Sequence, residues 1–127
     1  MIRFLALIVA FSLLANCDSF QYQKTVELDH GKKVLVSVET RVTDSGETIL
    51  VVDYASEESP LKEKKVEKDV LAIWNQVRSE ADEREIVEAV INYRYRTRDE
   101  SGTKRYEGIL FTADKKETGD WSVRKVE

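Results

Sequence analysis

The feature that most constrains the fold of this chain is a tripeptide ending in glycine that recurs between runs rich in β-branched and aromatic residues. It occurs at Asp29–Gly31, Asp44–Gly46 and Glu100–Gly102, and Glu117–Gly119 is a fourth candidate. Two residues in the right-handed helical region followed by a glycine in the left-handed region form a three-residue β-hairpin loop with a bulge. Because each loop fixes how its two strands pair, the sequence predicts which residues face one another.

The predicted registers collect apolar side chains on one side of each hairpin. A shift of one residue would move all of these side chains to the other side of the sheet, so the apolar pattern checks the loop assignment independently. The predicted pairs are Val26 with Val34, Tyr22 with Val38, Val36 with Tyr54, Val38 with Val52, Thr40 with Leu50, Ile91 with Phe111, Tyr93 with Ile109, and Tyr95 with Glu107.

One helix is predicted between the two groups of strands. Ser59 suits its N-cap and Pro60 its first position, while Glu57 and Glu58 would lie at the positive end of the helix dipole. We expect the helix to run from Pro60 to about Ala81. Its apolar stripe recurs at helical spacing and consists of Val66, Val70, Ile73, Trp74 and Val77.

The predicted fold class is α+β, with the element order β-β-β-α-β-β-β in a single domain spanning residues 22–127. Because hairpins join the neighbouring strands, the sheet should be a twisted, antiparallel sheet of five or six strands with the long helix packed on one face. The helical connection leaves two places open for the fourth strand, beside the first strand or beside the third.

The first sixteen residues have the composition of an export signal. Arg3 precedes an apolar run over residues 4–15, which is too short for a membrane-spanning helix, and the run ends in Leu14-Ala15-Asn16-Cys17. This tetrapeptide resembles the lipobox of bacterial lipoprotein precursors. The resemblance implies a signal peptide over residues 1–16 and lipidation of Cys17, which becomes the first residue of the mature protein.

Lipidation would fix the location of the domain. The acyl chains on Cys17 imply an exported protein anchored to the bacterial cell membrane, with the domain facing the periplasm or the cell exterior. Asp18 resembles the signal that retains lipoproteins in the inner membrane. Residues 17–21 form a tether so short that the domain would lie within roughly 20 Å of the bilayer. Cys17 is also the only cysteine, so lipidation would remove an otherwise unpaired thiol from an oxidising compartment.

Size and charge exclude several functions. Removing the first 16 of the 127 residues leaves 111, enough for one domain, with 24 acidic side chains against 19 basic ones because Arg3 is removed. A mildly acidic domain lacks the basic surface that binding to nucleic acid requires.

The sequence also predicts no metal or cofactor site. His30 is the only histidine and lies in a turn motif, so we expect no metal site. No motif for a cofactor or for catalysis is present.

Polar and apolar residues on the outer face of the predicted sheet suggest a binding surface. Arg94, Arg96 and Arg98 alternate along the fourth strand and share one face, with Tyr106 opposite Arg96, and Asp53 points outward from an apolar strand. The same outer face carries five aliphatic residues that a sheet with one wet side would leave exposed. These are Leu35, Ile49, Val51, Val90 and Leu110.

The leading functional hypothesis is a non-enzymatic, membrane-anchored lipoprotein whose sheet surface binds another component of the cell envelope. One alternative is an inhibitor or immunity-type lipoprotein that blocks an enzyme at the membrane. Another alternative is a small-ligand-binding protein or an enzyme with a pocket between helix and sheet. The residues that would line that pocket are Tyr54, Trp74, Tyr93, Tyr95 and Phe111.

Overall fold

The computed structural model describes residues 21–57, 62–98 and 100–126, which form one helix packed against one sheet. Cys17, Asp18, Ser59 and Pro60 lie outside the described residues. The strands are β1 (Gln21–Glu27), β2 (Lys33–Val42), β3 (Thr48–Ser56), β4 (Glu88–Arg98), β5 (Lys104–Lys115) and β6 (Trp121–Lys125), and the helix α1 spans Glu63–Glu83.

The six strands lie in the sheet in the order in which they occur in the chain. Four neighbouring pairs are antiparallel, whereas β3 and β4 are parallel. The predicted α+β class and element order are therefore confirmed, and the sheet is mixed rather than wholly antiparallel. The fourth strand lies beside the third. The two are parallel because α1 returns the chain to the end of the sheet at which β3 begins.

The glycine loops set the registers that the sequence predicts. Thr43 donates its backbone N–H to the Glu47 carbonyl at 2.7 Å, and Gly46 donates to the Thr43 carbonyl at 2.9 Å. The loop before β6 makes the equivalent bonds and is the fourth example. All four glycines have φ between +76° and +93°, which only glycine adopts without strain. The confirmed pairs are Tyr22–Val38, Val26–Val34, Val38–Val52, Thr40–Leu50, Ile91–Phe111, Tyr93–Ile109 and Tyr95–Glu107.

The core lies between α1 and the sheet face that the registers made apolar. Trp74 on α1 packs edge-on against Trp121 of β6, with ring centroids 4.8 Å apart. This contact extends the core to the last strand. All five residues of the predicted helical stripe are buried: Val66, Val70, Ile73, Trp74 and Val77.

The helix begins and ends later than predicted. Lys62 is still extended, with ψ 143°, so the helix starts at Glu63 rather than at Pro60. At the other end Ile86 donates its N–H to the Ala81 carbonyl at 2.9 Å, and Glu85 donates to the Asp82 carbonyl at 3.2 Å. These two bonds form a Schellman motif that places Glu85 in the left-handed region, with φ +59°.

Replacing Glu85 with glycine is expected to stabilise the protein by about 0.5–1 kcal/mol, because glycine adopts the left-handed conformation without a Cβ penalty. The same substitution at Glu83, inside the last turn of α1, should destabilise by about 1 kcal/mol. Urea unfolding of both variants measures the difference. Equal destabilisation by the two glycines would contradict this account of the helix end.

Acid should weaken the contact between α1 and β5–β6. The Lys115 ammonium donates to Asp82 Oδ1 at 2.9 Å and the Trp121 indole N–H donates to it at 3.1 Å. The hydrogen bond from Lys115, followed by the one from Trp121, holds the pKa of Asp82 below its ordinary value of about 3.9. A carboxyl group whose pKa is lowered by folding stabilises the protein above its unfolded-state pKa and loses that effect as pH falls through the folded-state pKa.

Asp82→Asn should therefore be less stable than the wild type at pH 6, and the gap should narrow as pH falls below about 4. The side chains are partly exposed, so we expect a gap of no more than about 1 kcal/mol. Chemical unfolding of both proteins at pH 6 and pH 3 provides the measurement. A gap that does not change with pH would mean that the Asp82 contacts contribute no pH dependence.

Candidate binding face of the sheet

The sheet has one face that turns away from α1, and we call it the open face. Within residues 21–57, 62–98 and 100–126, α1 is the only long helix and packs on the other side. Side chains alternate along each strand, so odd-numbered residues of β2 and β3 and even-numbered residues of β4 and β5 belong to the open face. This set includes the predicted binding residues Leu35, Ile49, Val51, Asp53, Arg94, Arg96 and Tyr106.

Aliphatic side chains occupy the middle of the open face. Val51 of β3 lies directly opposite Val90 of β4, and both are half-buried, as is Ile49. Leu110 on β5 and Leu35 on β2 are exposed, by 41% and 59% respectively. Of the five aliphatic residues expected to be exposed, two are exposed, and the other three form a half-buried centre between them.

Asp53 and Arg94 form an ion pair on the open face. The Arg94 guanidinium donates from Nε to Asp53 Oδ1 at 2.9 Å, and both side chains are partly exposed. Asp53 lies opposite Ser37, as the predicted register requires. The sequence indicated no partner for this carboxylate, because the contact depends on the parallel pairing of β3 with β4.

Arg96 is also paired with a carboxylate of its own chain. Arg96 Nη1 lies 3.1 Å from Glu57 Oε2, and the Tyr106 hydroxyl donates to Glu57 Oε1 at 3.0 Å. This hydrogen bond raises the pKa of Tyr106 above its ordinary value. Arg96 and Tyr106 are opposite one another, as predicted. Glu57 therefore contributes to the open face, whereas its position in the sequence predicts a place at the start of the helix.

Arg94 has a small residue beside it on each neighbouring strand. Its neighbours across the sheet are Ala55 on β3 and Gly108 on β5. A Cβ on Gly108 would come within 3.0 Å of Asn92 Oδ1, so the Asn92 side chain lies beside this glycine. The Arg94 side chain is 42% exposed, and its bond to Asp53 uses only the Nε donor of the guanidinium.

The third arginine of the predicted row ends β4. Arg98 pairs with Lys104 across the hairpin, and its side chain is not among those described. Two arginines of the predicted row, Arg94 and Arg96, thus form ion pairs with carboxylates of the same chain.

The aromatic residues of the alternative pocket mostly belong to the core. Trp74, Tyr54 and Tyr93 are buried, and the rings of Tyr54 and Tyr93 pack edge-on with centroids 5.3 Å apart. Tyr95 is half-buried and its hydroxyl donates to Glu107 Oε2 at 2.9 Å. Phe111 is buried, and its edge contributes to a cleft of about 220 Å³ between α1 and β6. These rings fill the space between helix and sheet.

The structure adds two observations that bear on function. In the part of the chain that it describes, no group of three His, Cys, Asp or Glu side chains could hold a metal ion. No helix in the same residues is both long and apolar enough to cross a bilayer.

Comparison with known proteins gives no relative: no protein-family model matches this chain and no curated protein matches it. The features of this chain that bear on function are therefore the open face and the N-terminal segment.

Proposed function

We propose that this protein is a non-enzymatic, membrane-anchored lipoprotein of the bacterial cell envelope whose open face binds another envelope protein. The observation that supports the proposal is an aliphatic centre on a sheet face that no other described element covers. Such faces on small domains are usually packed against a second layer or a partner, because exposed apolar surface is costly in water.

The arrangement of the open face resembles a protein interface. Val51 and Val90 form an apolar centre, and two ion pairs, Asp53–Arg94 and Glu57–Arg96, lie along one side of it. Protein interfaces typically have an apolar core with a polar rim. Nucleic acid would require a net positive surface, and here two of the three arginines are already neutralised by carboxylates.

The exposed guanidinium of Arg94 indicates what the partner presents. Arg94 donates to Asp53 of its own chain through Nε, so the two Nη atoms can still donate to a partner. Two parallel N–H donors suit a carboxylate. Arg94 is 42% exposed and its neighbour Ala55 carries only a methyl group, so such a group can approach the guanidinium. The partner is therefore expected to place an Asp or Glu side chain over Arg94 and apolar side chains over Val51 and Val90.

The anchor supports an envelope partner rather than a soluble one. With Cys17 lipidated, only the three residues 18–20 separate the acylated residue from β1, and the step from Cys17 to Gln21 spans at most about 14 Å in an extended chain. The open face would thus be held close to the membrane, where its partner would also be anchored or embedded. An enzyme blocked at the membrane is one form that this partner could take, and its identity separates an inhibitor from a structural component.

Site-specific photo-crosslinking in cells tests this proposal. A photoreactive amino acid at Val51 or Arg96 should give an adduct of one discrete size, whereas the same amino acid at Asn75, exposed on α1, should not. The double substitution Asp53→Arg and Arg94→Asp keeps an ion pair between the two strands. It moves the positive charge from β4 to β3 and the negative charge from β3 to β4, so the partner's carboxylate would meet an acidic group at position 94. The exchange should reduce adduct yield at Val51 at least tenfold without changing thermal stability.

Equal adduct yields at Val51 and Asn75 would contradict the proposed face. Retention through purification of a small molecule bound beside Phe111, with no adduct at Val51, would instead favour the ligand-binding alternative.

A further inference from the structure

The outer edge of β1 carries main-chain groups that the sheet does not use. Leu28 donates its N–H to the Lys32 carbonyl at 2.6 Å, so even-numbered residues of β1 bond to β2. The N–H and C=O groups of odd-numbered residues then point away from the sheet, because the direction alternates along an antiparallel strand. These residues are Gln21, Gln23, Thr25 and Glu27.

One end of this edge is closed by a side chain from the helix. Gln76 accepts a hydrogen bond from the Glu27 N–H at 2.8 Å and donates one to the Glu27 carbonyl at 2.7 Å. Its amide also donates to the Ala72 carbonyl at 2.9 Å, which holds it in place. Within the described residues, the outward main-chain groups of Gln21, Gln23 and Thr25 make no such bonds.

We propose that β1 pairs with β1 of a second copy of this chain, antiparallel and about a twofold axis at Gln23. Gln23 then faces the same residue of the second copy, and Gln21 faces Thr25. This register uses the outward groups of all three open residues on each copy in six backbone hydrogen bonds. A shift of two residues would set Gln21 against Glu27, whose groups Gln76 already occupies.

The side chains of β1 suit pairing with themselves. Gln21, Gln23 and Thr25 share the open face and carry no charge, so no like charges meet across the twofold axis. On the other face Lys24 would lie opposite Tyr22, and an ammonium beside an aromatic ring is favourable. The opposite edge of the sheet differs, because β6 carries adjacent basic residues, Arg124 and Lys125, that discourage strand addition.

The paired segment is short, so the affinity of the dimer rests on the proposed membrane anchor at Cys17. The register of the pairing does not depend on that anchor. The five paired residues of each copy bury less area than a stable dimer in dilute solution needs. Two copies tethered to one membrane meet at a much higher effective concentration. We therefore expect the dimer in membranes and in concentrated solutions of the full chain.

Cysteine crosslinking distinguishes this register from other contacts. Across a hydrogen-bonded antiparallel pair the Cα atoms are about 5.5 Å apart, which suits a disulfide. Gln23→Cys in the full chain should therefore give a disulfide-linked dimer after mild oxidation of membranes. Gln21→Cys lies on the same face of the same strand, but its two copies would be about 14 Å apart along the strands and should not link. The unsubstituted chain sets the background from Cys17.

The same variants are oxidised as purified full chain at about 1 mM, so that a failure of anchoring does not conceal the result. A link at Gln23→Cys but not at Gln21→Cys in this sample supports the register whether or not Cys17 is lipidated. No link at Gln23→Cys, or equal links at both positions, would overturn the pairing while leaving the proposed role of the open face intact.

Discussion

Replacing Trp74 with alanine is expected to lower the free energy of unfolding by about 3–5 kcal/mol, the range for removing a large aromatic side chain from a core. Trp74 is 1% exposed, and its ring is the contact through which α1 reaches Trp121 on β6. Its removal therefore leaves a cavity at the point where the helix and the last strand meet. A loss of this size is a large part of the stability of a domain with about a hundred residues.

Two further variants separate ring packing from other effects. Leu71→Ala, on the same helix but 47% exposed, should cost less than about 1 kcal/mol. The Trp74 indole N–H is buried without an acceptor among the described residues, so Trp74→Phe loses an unsatisfied donor and retains much of the packing. Its cost should fall well below that of Trp74→Ala. Urea unfolding gives all three values, and a cost for Leu71→Ala as large as that for Trp74→Ala would contradict the location of the core.

Replacing Tyr93 with phenylalanine is expected to destabilise the protein by about 1–3 kcal/mol. The Tyr93 hydroxyl donates to Asp69 Oδ2 at 2.9 Å, and Asp69 is only 2% exposed. The nearest ammonium group is Lys65 Nζ, 3.6 Å from the same oxygen. Removing the hydroxyl leaves the buried Asp69 carboxylate with one fewer hydrogen-bond donor. Breaking a buried charged contact by removing one partner destabilises a protein more than replacing both partners does.

Tyr95→Phe is the matched control, because its hydroxyl also donates to a carboxylate but does so in solvent. Its cost should be below about 0.5 kcal/mol. Burial, followed by the hydrogen bond to Asp69, raises the pKa of Tyr93, so the hydroxyl remains a donor across the pH range of such a measurement. Equal costs for the two substitutions would show that the Asp69 contact adds nothing to stability.

The hairpins could be predicted because a local signal and a global pattern agreed. Gly46 and Gly102 each fix a register through a few neighbouring residues, and the apolar alternation of the strands supports the same registers. The pairing of β3 with β4 has no such local signal, since it depends on where α1 packs. The late end of α1 was missed for a related reason, because Glu85 occupies a left-handed position where a glycine usually marks the stop.

The open face was predictable only in part. Alternation placed Arg94 and Arg96 on one face from the sequence alone, but not the carboxylates that pair with them. Asp53 and Glu57 reach these arginines across the parallel pair, at separations of about forty residues in the chain. The closure of the β1 edge by Gln76 is equally invisible in the sequence, because it joins a side chain to a backbone 49 residues away.

Fatty-acid labelling of Cys17 tests the proposed location, and with it the proposed class of partner, most directly. Cells expressing the full chain are grown with a labelled fatty acid, and the protein is recovered from membrane and soluble fractions. The wild type should carry the label and partition with membranes, and Cys17→Ala should carry none, because the acyl chains are attached through that residue. The fold of Cys17→Ala should be unchanged, since the described sheet begins at Gln21. A wild-type protein that is soluble, unlabelled and cleaved elsewhere would contradict the anchor.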